Sequence, residues 1–169
     1  VLATAFASPL MPIGSLEKAA LLFLTGEKGA GKSTALLLAS SVFGNPERMK
    51  FNKMDTFNSR IDKLGVYSNI AAAFDEMTDM SPKEASEFAY TLTQGRGKDR
   101  MNSGGDGLMM NTTYWSCLPV MSANDSIINA LSQHSIDPTA QMSRVLEVPA
   151  KNINKVYSQQ EQPLSLIHI

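Results

Sequence analysis

Gly26-Glu27-Lys28-Gly29-Ala30-Gly31-Lys32-Ser33-Thr34, GEKGAGKST, is the stretch that decides the fold. Glycine is entropically costly in helices and strands, so three of them within six residues mark a turn whose backbone must take unusual dihedrals. Ahead of it runs ALLFLT (20–25), a short apolar segment that reads as a buried strand. Behind it runs ALLLASSVF (35–43), apolar and helix-compatible, with Gly44 and Pro46 as its stop. Strand, glycine loop and helix together form a phosphate-binding loop. Gly26, four residues, then Gly31-Lys32-Ser33 matches G-x-x-x-x-G-K-[ST] in full. At average residue frequencies, a chain of this length meets the pattern by chance in under about 1% of cases. The backbone of Gly26, Glu27, Lys28, Gly29, Ala30 and Gly31 is expected to wrap phosphate oxygens. Lys32 should reach the β- and γ-phosphates, Ser33 should ligate Mg²⁺, and Thr34 completes the set. The helix that starts near Lys32 turns its positive end to the same anion.

A phosphate loop that hydrolyses needs a second acidic site. In IAAAFDEM (70–77) an apolar strand runs straight into Asp75 and Glu76. An Asp at that strand end can hold the metal through water, and the adjacent Glu can polarise an attacking water. The bland alternative is two solvated acids in a turn. Metabolite kinases share the phosphate loop but usually lack the second acid, which tilts the reading toward ATP hydrolysis. A third segment, WSCLPVMSAND (115–125), reads as part of a strand over 113–123, with Pro119 as a blemish. Asn124 at its end could touch the γ-phosphate and the water, cap the next helix, or do both.

Further along, a helix is expected over 54–64 with Gly65 as its stop, and a second strand over 69–74. Ser81-Pro82-Lys83-Glu84 carries a capping-box start for a helix that runs to about Thr93 and stops at Gly95. Residues 96–107 read as a loop or hairpin tip, 126–131 as a short helix and 143–148 as a last strand. Such alternation predicts an α/β protein with a mostly parallel sheet flanked by helices. The core is expected over 20–149. Residues 1–19 are expected to be a linker or the end of a preceding region, and 150–163 a C-terminal extension. LSLIHI (164–169) resembles a translated transposon-end adapter and is expected to be a non-native tail; the alternative is a real short strand. The chain is thus read as an internal fragment of a longer protein.

Composition narrows the classes. Of 169 residues, 43% are hydrophobic and 18% charged, an ordinary globular balance. A formal net charge of −1 means that any nucleic acid must meet a local basic patch. The single cysteine, Cys117, excludes an internal disulfide framework and fits a reducing compartment. No apolar run reaches the roughly 18 residues of a membrane span, and the apolar start lacks the basic residues of a signal peptide. His134 has no partner at metal-ligand spacing and is read as a surface or helix-end residue. Trp115 is read as core or interface, and the methionines as packing.

GEKGAGKST, IAAAFDEM, VMSAND and SRVLEV (143–148), in this order and at short spacing, resemble the superfamily 3 helicase core of the AAA+ class. TFNSRIDKLG (56–65), EFAYTLTQGRGKDR (87–100) and YWSCLPVMSAND (114–125) are similar, more specifically, to the domain-of-unknown-function 927 family, helicase-like ATPases of bacteria, phages and mobile elements. The likeness covers about 10–148. The SAND end of the third strand departs from the more variable Ser/Gly-rich end expected of the family. The resemblance implies a P-loop NTPase of AAA+/ASCE type with strand order near 5-1-4-3-2, and ATP and Mg²⁺ as cofactors. It implies a ring, taken as a hexamer, that moves on single-stranded DNA in phage or mobile-element replication, in the cytoplasm of a bacterial host. It also implies Glu76 and Asn124 as catalytic residues and Arg144 as an arginine finger offered to the next subunit; the plain alternative pairs Arg144 with Glu147 or another acid. Arg96, Lys98 and Arg100, at every second position, would line one edge of a hairpin and face DNA. A solvated charged loop, or an interface role for Arg96 or Arg100, stays open. The competing function is an ATP-driven switch or regulatory ATPase that binds a protein or DNA partner without unwinding; a small-molecule kinase is a third.

Overall fold

A computed structural model of the chain describes residues 1–14, 19–51, 54–77, 80–98, 100–101, 108–109, 113–134 and 139–150. Of the extension and tail expected over 150–169, only Ala150 lies among them. Strand β1 (Leu21–Thr25), mostly buried, is an inner strand of the sheet. It pairs in parallel with β5 (Val120–Ser122) on one side and β6 (Val145–Pro149) on the other. Strand β2 (Ala73–Phe74) adds to the far side of β5, giving the order β2-β5-β1-β6. Phe51 bridges in parallel to Phe74 at the place of a fifth, outermost strand. With that bridge the order is the expected 5-1-4-3-2, the second strand reduced to one residue pair. Two short antiparallel strands, β3 (Arg100–Met101) and β4 (Leu108–Met109), form a separate hairpin over the predicted tip.

Side chains alternate across this sheet, and the alternation builds the site. Leu24, Val120 and Ala73 face helix α2 (Lys32–Ser41) and pack with its Leu36. Phe23, Met121 and Phe74 face the other way, into the main core against α4 (Phe57–Tyr67), α5 (Pro82–Gln94) and α6 (Ile127–His134). There Phe74 lies 4.3 Å from Phe51 and 5.2 Å from Phe88, ring centre to ring centre. Each such buried ring contributes about 1.5–3 kcal/mol. Two residues beyond Ala73 comes Asp75, and two beyond Val120 comes Ser122. A period of two thus carries both polar groups to the α2 side, where the phosphate loop ends.

Helix α5 begins as its sequence says. Ser81 accepts from the Glu84 backbone N–H, and Glu84 accepts from both the Ser81 N–H and its hydroxyl. Those bonds hold the Glu84 carboxyl below its usual range. Gly95 closes the helix at φ 74°.

Three expectations are corrected. The helix placed over 54–64 runs Phe57–Tyr67, capped by Thr56. Gly65 lies inside it, because a side chain there would collide with Thr113; the glycine serves close packing, not termination. The long strand over 113–123 is only Val120–Ser122. Pro119 has no N–H to give, and the preceding N–H groups bond elsewhere: Trp115 to Gly95, Ser116 to Ser68, Leu118 to the Ser8 hydroxyl. The strand over 69–74 likewise contracts to two residues. Residues 1–14 pack on the core. Helix α1 (Leu2–Ala7) buries Ala5, and buried Ser8 donates to the Asn69 carbonyl. Two further short helices, α3 (Pro46–Met49) and α7 (Thr139–Met142), complete the described elements.

Candidate nucleotide site

The phosphate loop leaves the C-terminal end of β1 and enters α2 through Gly31, whose φ of 82° lies in the left-handed region. Gly29 takes φ 83° with open space around it, so its conformation, not room, demands glycine. Gly26 combines φ 143° with close approach to the Ala150 carbonyl, and a Cβ would strike that oxygen. Lys32 is only 8% exposed. Its Nζ donates to the carbonyls of Gly26 at 2.7 Å and Glu27 at 3.0 Å, and to Asn124 Oδ1 at 3.2 Å. A cation held by three neutral oxygens is poised for an anion.

The acidic pair stands beside it. Asp75 Oδ1 accepts from the Ser33 hydroxyl at 3.0 Å. Glu76 has φ 58°, unusual for a residue with a side chain. Its backbone N–H donates to Asp75 Oδ1 at 3.0 Å, while its exposed carboxylate has no hydrogen-bond partner among the described residues. Lys28, Gly29, Gly31, Lys32, Ser33, Thr34, Asp75, Glu76 and Asn124 line a single cleft of about 420 Å³, together with Ser122 and Ala123. Asn124 meets Lys32, and at the start of α6 Ser126 accepts from the Asn129 N–H, while Glu147 accepts from the Ile128 N–H and the Ser126 hydroxyl. That geometry puts Asn124 Oδ1 on the Lys32 ammonium. It also occupies Glu147, the acid considered for Arg144.

The donor set suits magnesium. Mg²⁺ takes oxygen ligands, keeps several waters, and is held by one or two protein groups plus substrate phosphates. Ser33 and Asp75 supply a hydroxyl and a carboxylate in contact at the cleft floor. Among the described residues no group of three or more His, Cys, Asp or Glu side chains forms a metal cage. Ser122 is the site residue that sequence reading passed over: buried, at the end of an apolar strand, its hydroxyl donates to Asp75 Oδ1 at 2.7 Å. A lone serine in VMSAND carries no motif, and only the strand register exposes its role.

A family model described as a domain of unknown function, DUF927, matches residues 1–108. The chain belongs to this family. Among curated proteins none matches. Of solved structures, the SCCmec type IV Cch active helicase is similar at 23% identity and a TM-score of 0.60, over 93% of this chain and 29% of that one. The Hsp104–ADP complex of S. cerevisiae is similar at 14% identity and a TM-score of 0.50, over 92% of this chain and 34% of that one. The chain therefore spans about a third of the length of these neighbours. At such identities the likeness establishes the fold, the P-loop architecture shared by a helicase and an AAA+ ATPase.

The remaining candidates of the DUF927 chain lie away from the cleft. Arg144 sits just before β6, and its carbonyl accepts from the Leu21 N–H, at the end of β1 opposite the phosphate loop. Its guanidinium lies 5.2 Å over the Tyr90 ring, and its buried Nη1 makes no hydrogen bond among the described residues. Exposed Arg96 bridges antiparallel to Tyr114, on the chain that leads into β5 from its N-terminal side. Exposed Lys98 lies 5.7 Å from the Phe57 ring. Arg100 opens β3; its side chain, Asp99 and residues 102–107 of the tip lie outside the described residues, as does the His134 side chain. Trp115 is core, its Nε1–H donating to the Leu92 carbonyl.

Cys117 is fully buried, and burial pushes its thiol up to about 12. A neutral buried thiol is a poor nucleophile. Native protein should therefore resist a thiol-specific reagent at neutral pH, and the unfolded chain should react at once; rapid native labelling would contradict the packing around β5.

Proposed function

We propose that the chain is the ATP-hydrolysing motor core of a ring helicase or translocase that acts on single-stranded DNA in phage or mobile-element replication. One observation carries the ATPase part: a phosphate loop, a Ser33–Asp75 metal pair, an unengaged Glu76 carboxylate and Asn124 converge on one cleft. The DNA part is supported by the family, by the fold shared with a mobile-element helicase, and by the exposed cations Arg96 and Lys98 on the approach to the hairpin. Among the described residues no helix is long and apolar enough to cross a membrane.

In this reading the loop's N–H groups and Lys32 bind the β- and γ-phosphates, and Lys32 exchanges its carbonyl partners for phosphate oxygens. Ser33 and Asp75 would hold Mg²⁺, which would supply charge neutralisation to the phosphates when bound. Asn124 fixes the Lys32 ammonium and reaches the γ-phosphate side of the cleft. Glu76 orients a water and takes its proton as the water oxygen bonds to the γ-phosphorus. The bond from that phosphorus to the bridging oxygen breaks, and ADP leaves with the electron pair. Arg144 of one subunit serves the γ-phosphate of the next.

DNA-stimulated hydrolysis is the test. Reversing the charges of Arg96, Lys98 and Arg100 together should weaken single-stranded DNA binding and flatten its salt dependence, each lost phosphate contact lowering the slope by about one. Basal hydrolysis should survive. Unchanged affinity and slope would place the DNA path elsewhere; ring assembly with no effect of DNA would favour a regulatory ATPase.

A further inference from the structure

Asp75 and Glu76 are joined by the Glu76 N–H on Asp75 Oδ1, and one buried residue on the neighbouring strand bonds to both. Ser122 is 2% exposed at the C-terminal end of β5. Its hydroxyl donates to Asp75 Oδ1 at 2.7 Å and accepts, at a long 3.4 Å, from the Glu76 N–H. Its carbonyl accepts from the Met77 N–H at 3.0 Å. Three successive residues, 75 to 77, are thus fastened to a single position, and the middle one has the left-handed backbone that turns Glu76 into the cleft.

The distribution of donors on Asp75 gives this clamp a consequence. Oδ1 receives the Ser33 hydroxyl, the Ser122 hydroxyl and the Glu76 N–H. Oδ2 receives no hydrogen bond from the described residues. A carboxylate with one oxygen saturated by three donors cannot rotate freely about its last torsion, so the same oxygen is always left for a cation or its water. When the Ser33 hydroxyl turns from Asp75 to a metal, it withdraws one of the three donors. Ser122 and the Glu76 N–H must then keep the carboxylate in place. A serine that merely satisfied its own buried hydroxyl would be served equally well by a backbone carbonyl.

We propose that Ser122 is a positioning residue that orients Asp75 for the metal and fixes the backbone of Glu76. It acts through its hydrogen bonds to residues 75 and 76. The inference rests on the ATPase reading and adds to it a residue that the phosphate-loop pattern does not contain.

The test uses the full-length protein and a fluorescent ATP analogue, with binding measured against Mg²⁺ concentration and in chelator. Loss of an outer hydrogen bond to a metal ligand typically costs 10–100-fold in metal affinity, so Ser122→Ala should raise the half-saturating Mg²⁺ about tenfold. Binding in chelator should change by less than about twofold, because the hydrogen bonds lost go to residues 75 and 76, which serve the metal and the attacking water. Ser122→Thr, which keeps the hydroxyl, should return to within about threefold of the native value. In an Asp75→Asn background, Ser122→Ala should add less than about twofold, since its route is already cut. Should Ser122→Ala fail to fold, Ser122→Cys, similar in volume and a weaker donor, must show the same direction of shift. An unshifted Mg²⁺ dependence in a folded variant, or the full shift repeated in the Asp75→Asn background, overturns the inference alone. Native protein that binds no nucleotide with or without Mg²⁺ overturns the ATPase reading beneath it.

Discussion

Arg144→Ala is expected to assemble and bind ATP yet hydrolyse it about 10³–10⁵ times more slowly, the worth of an arginine that stabilises charge on a transferring phosphoryl group. The geometry forbids Arg144 from serving its own cleft. Its carbonyl bonds at the start of β1, and the phosphate loop leaves the end of that strand, roughly 15 Å away at about 3.3 Å per residue. Tyr90 supports the guanidinium from one side. Activity should therefore rise more than linearly with protein concentration as subunits meet. Mixing Arg144→Ala with Lys32→Ala should recover part of the rate, because an intact cleft on one subunit then faces an intact arginine on the other. Mixed assemblies without recovery would make Arg144 structural.

Glu76→Gln should leave ATP and Mg²⁺ bound and slow hydrolysis by about 10²–10⁴-fold, the usual worth of a positioned general base. Glutamine keeps the shape and the left-handed backbone but cannot take a proton. Asp75→Ala should fail differently, weakening nucleotide binding only when Mg²⁺ is present. A Glu76→Gln variant that turns over near the native rate would reduce Glu76 to a surface acid at the mouth of the cleft.

The parts of this site that were legible in the sequence are those whose chemistry is local. Gly29 and Gly31 advertise left-handed backbone, Lys32 and Ser33 follow at fixed offsets, and Asp75-Glu76 stand at the end of an apolar run. The capping box at Ser81 and the stop at Gly95 are equally local, and both are found where expected. What escaped depends on partners distant in the chain. Gly65 looks like a terminator until Thr113 is packed against it. The run 113–119 looks like strand until its N–H groups are seen bonding to Gly95, Ser68 and Ser8. Asn124 follows the strand like any polar residue of a turn, and only the fold brings its Oδ1 to the Lys32 ammonium, 92 positions earlier. Ser122 gave no signal, because its role arises from the register of β5 against β2.

The measurement that bears most directly on the central claim is calorimetric titration of ATP with Mg²⁺ into the native protein and into Lys32→Ala. Lys32 is buried, holds three oxygen acceptors and sits where phosphates must arrive. Its loss removes one or two charge-assisted hydrogen bonds, each about 1.5–3 kcal/mol. The account predicts saturable binding by the native protein, and affinity at least about tenfold weaker in the variant at an unchanged unfolding temperature. Equal affinity in the two proteins would contradict it.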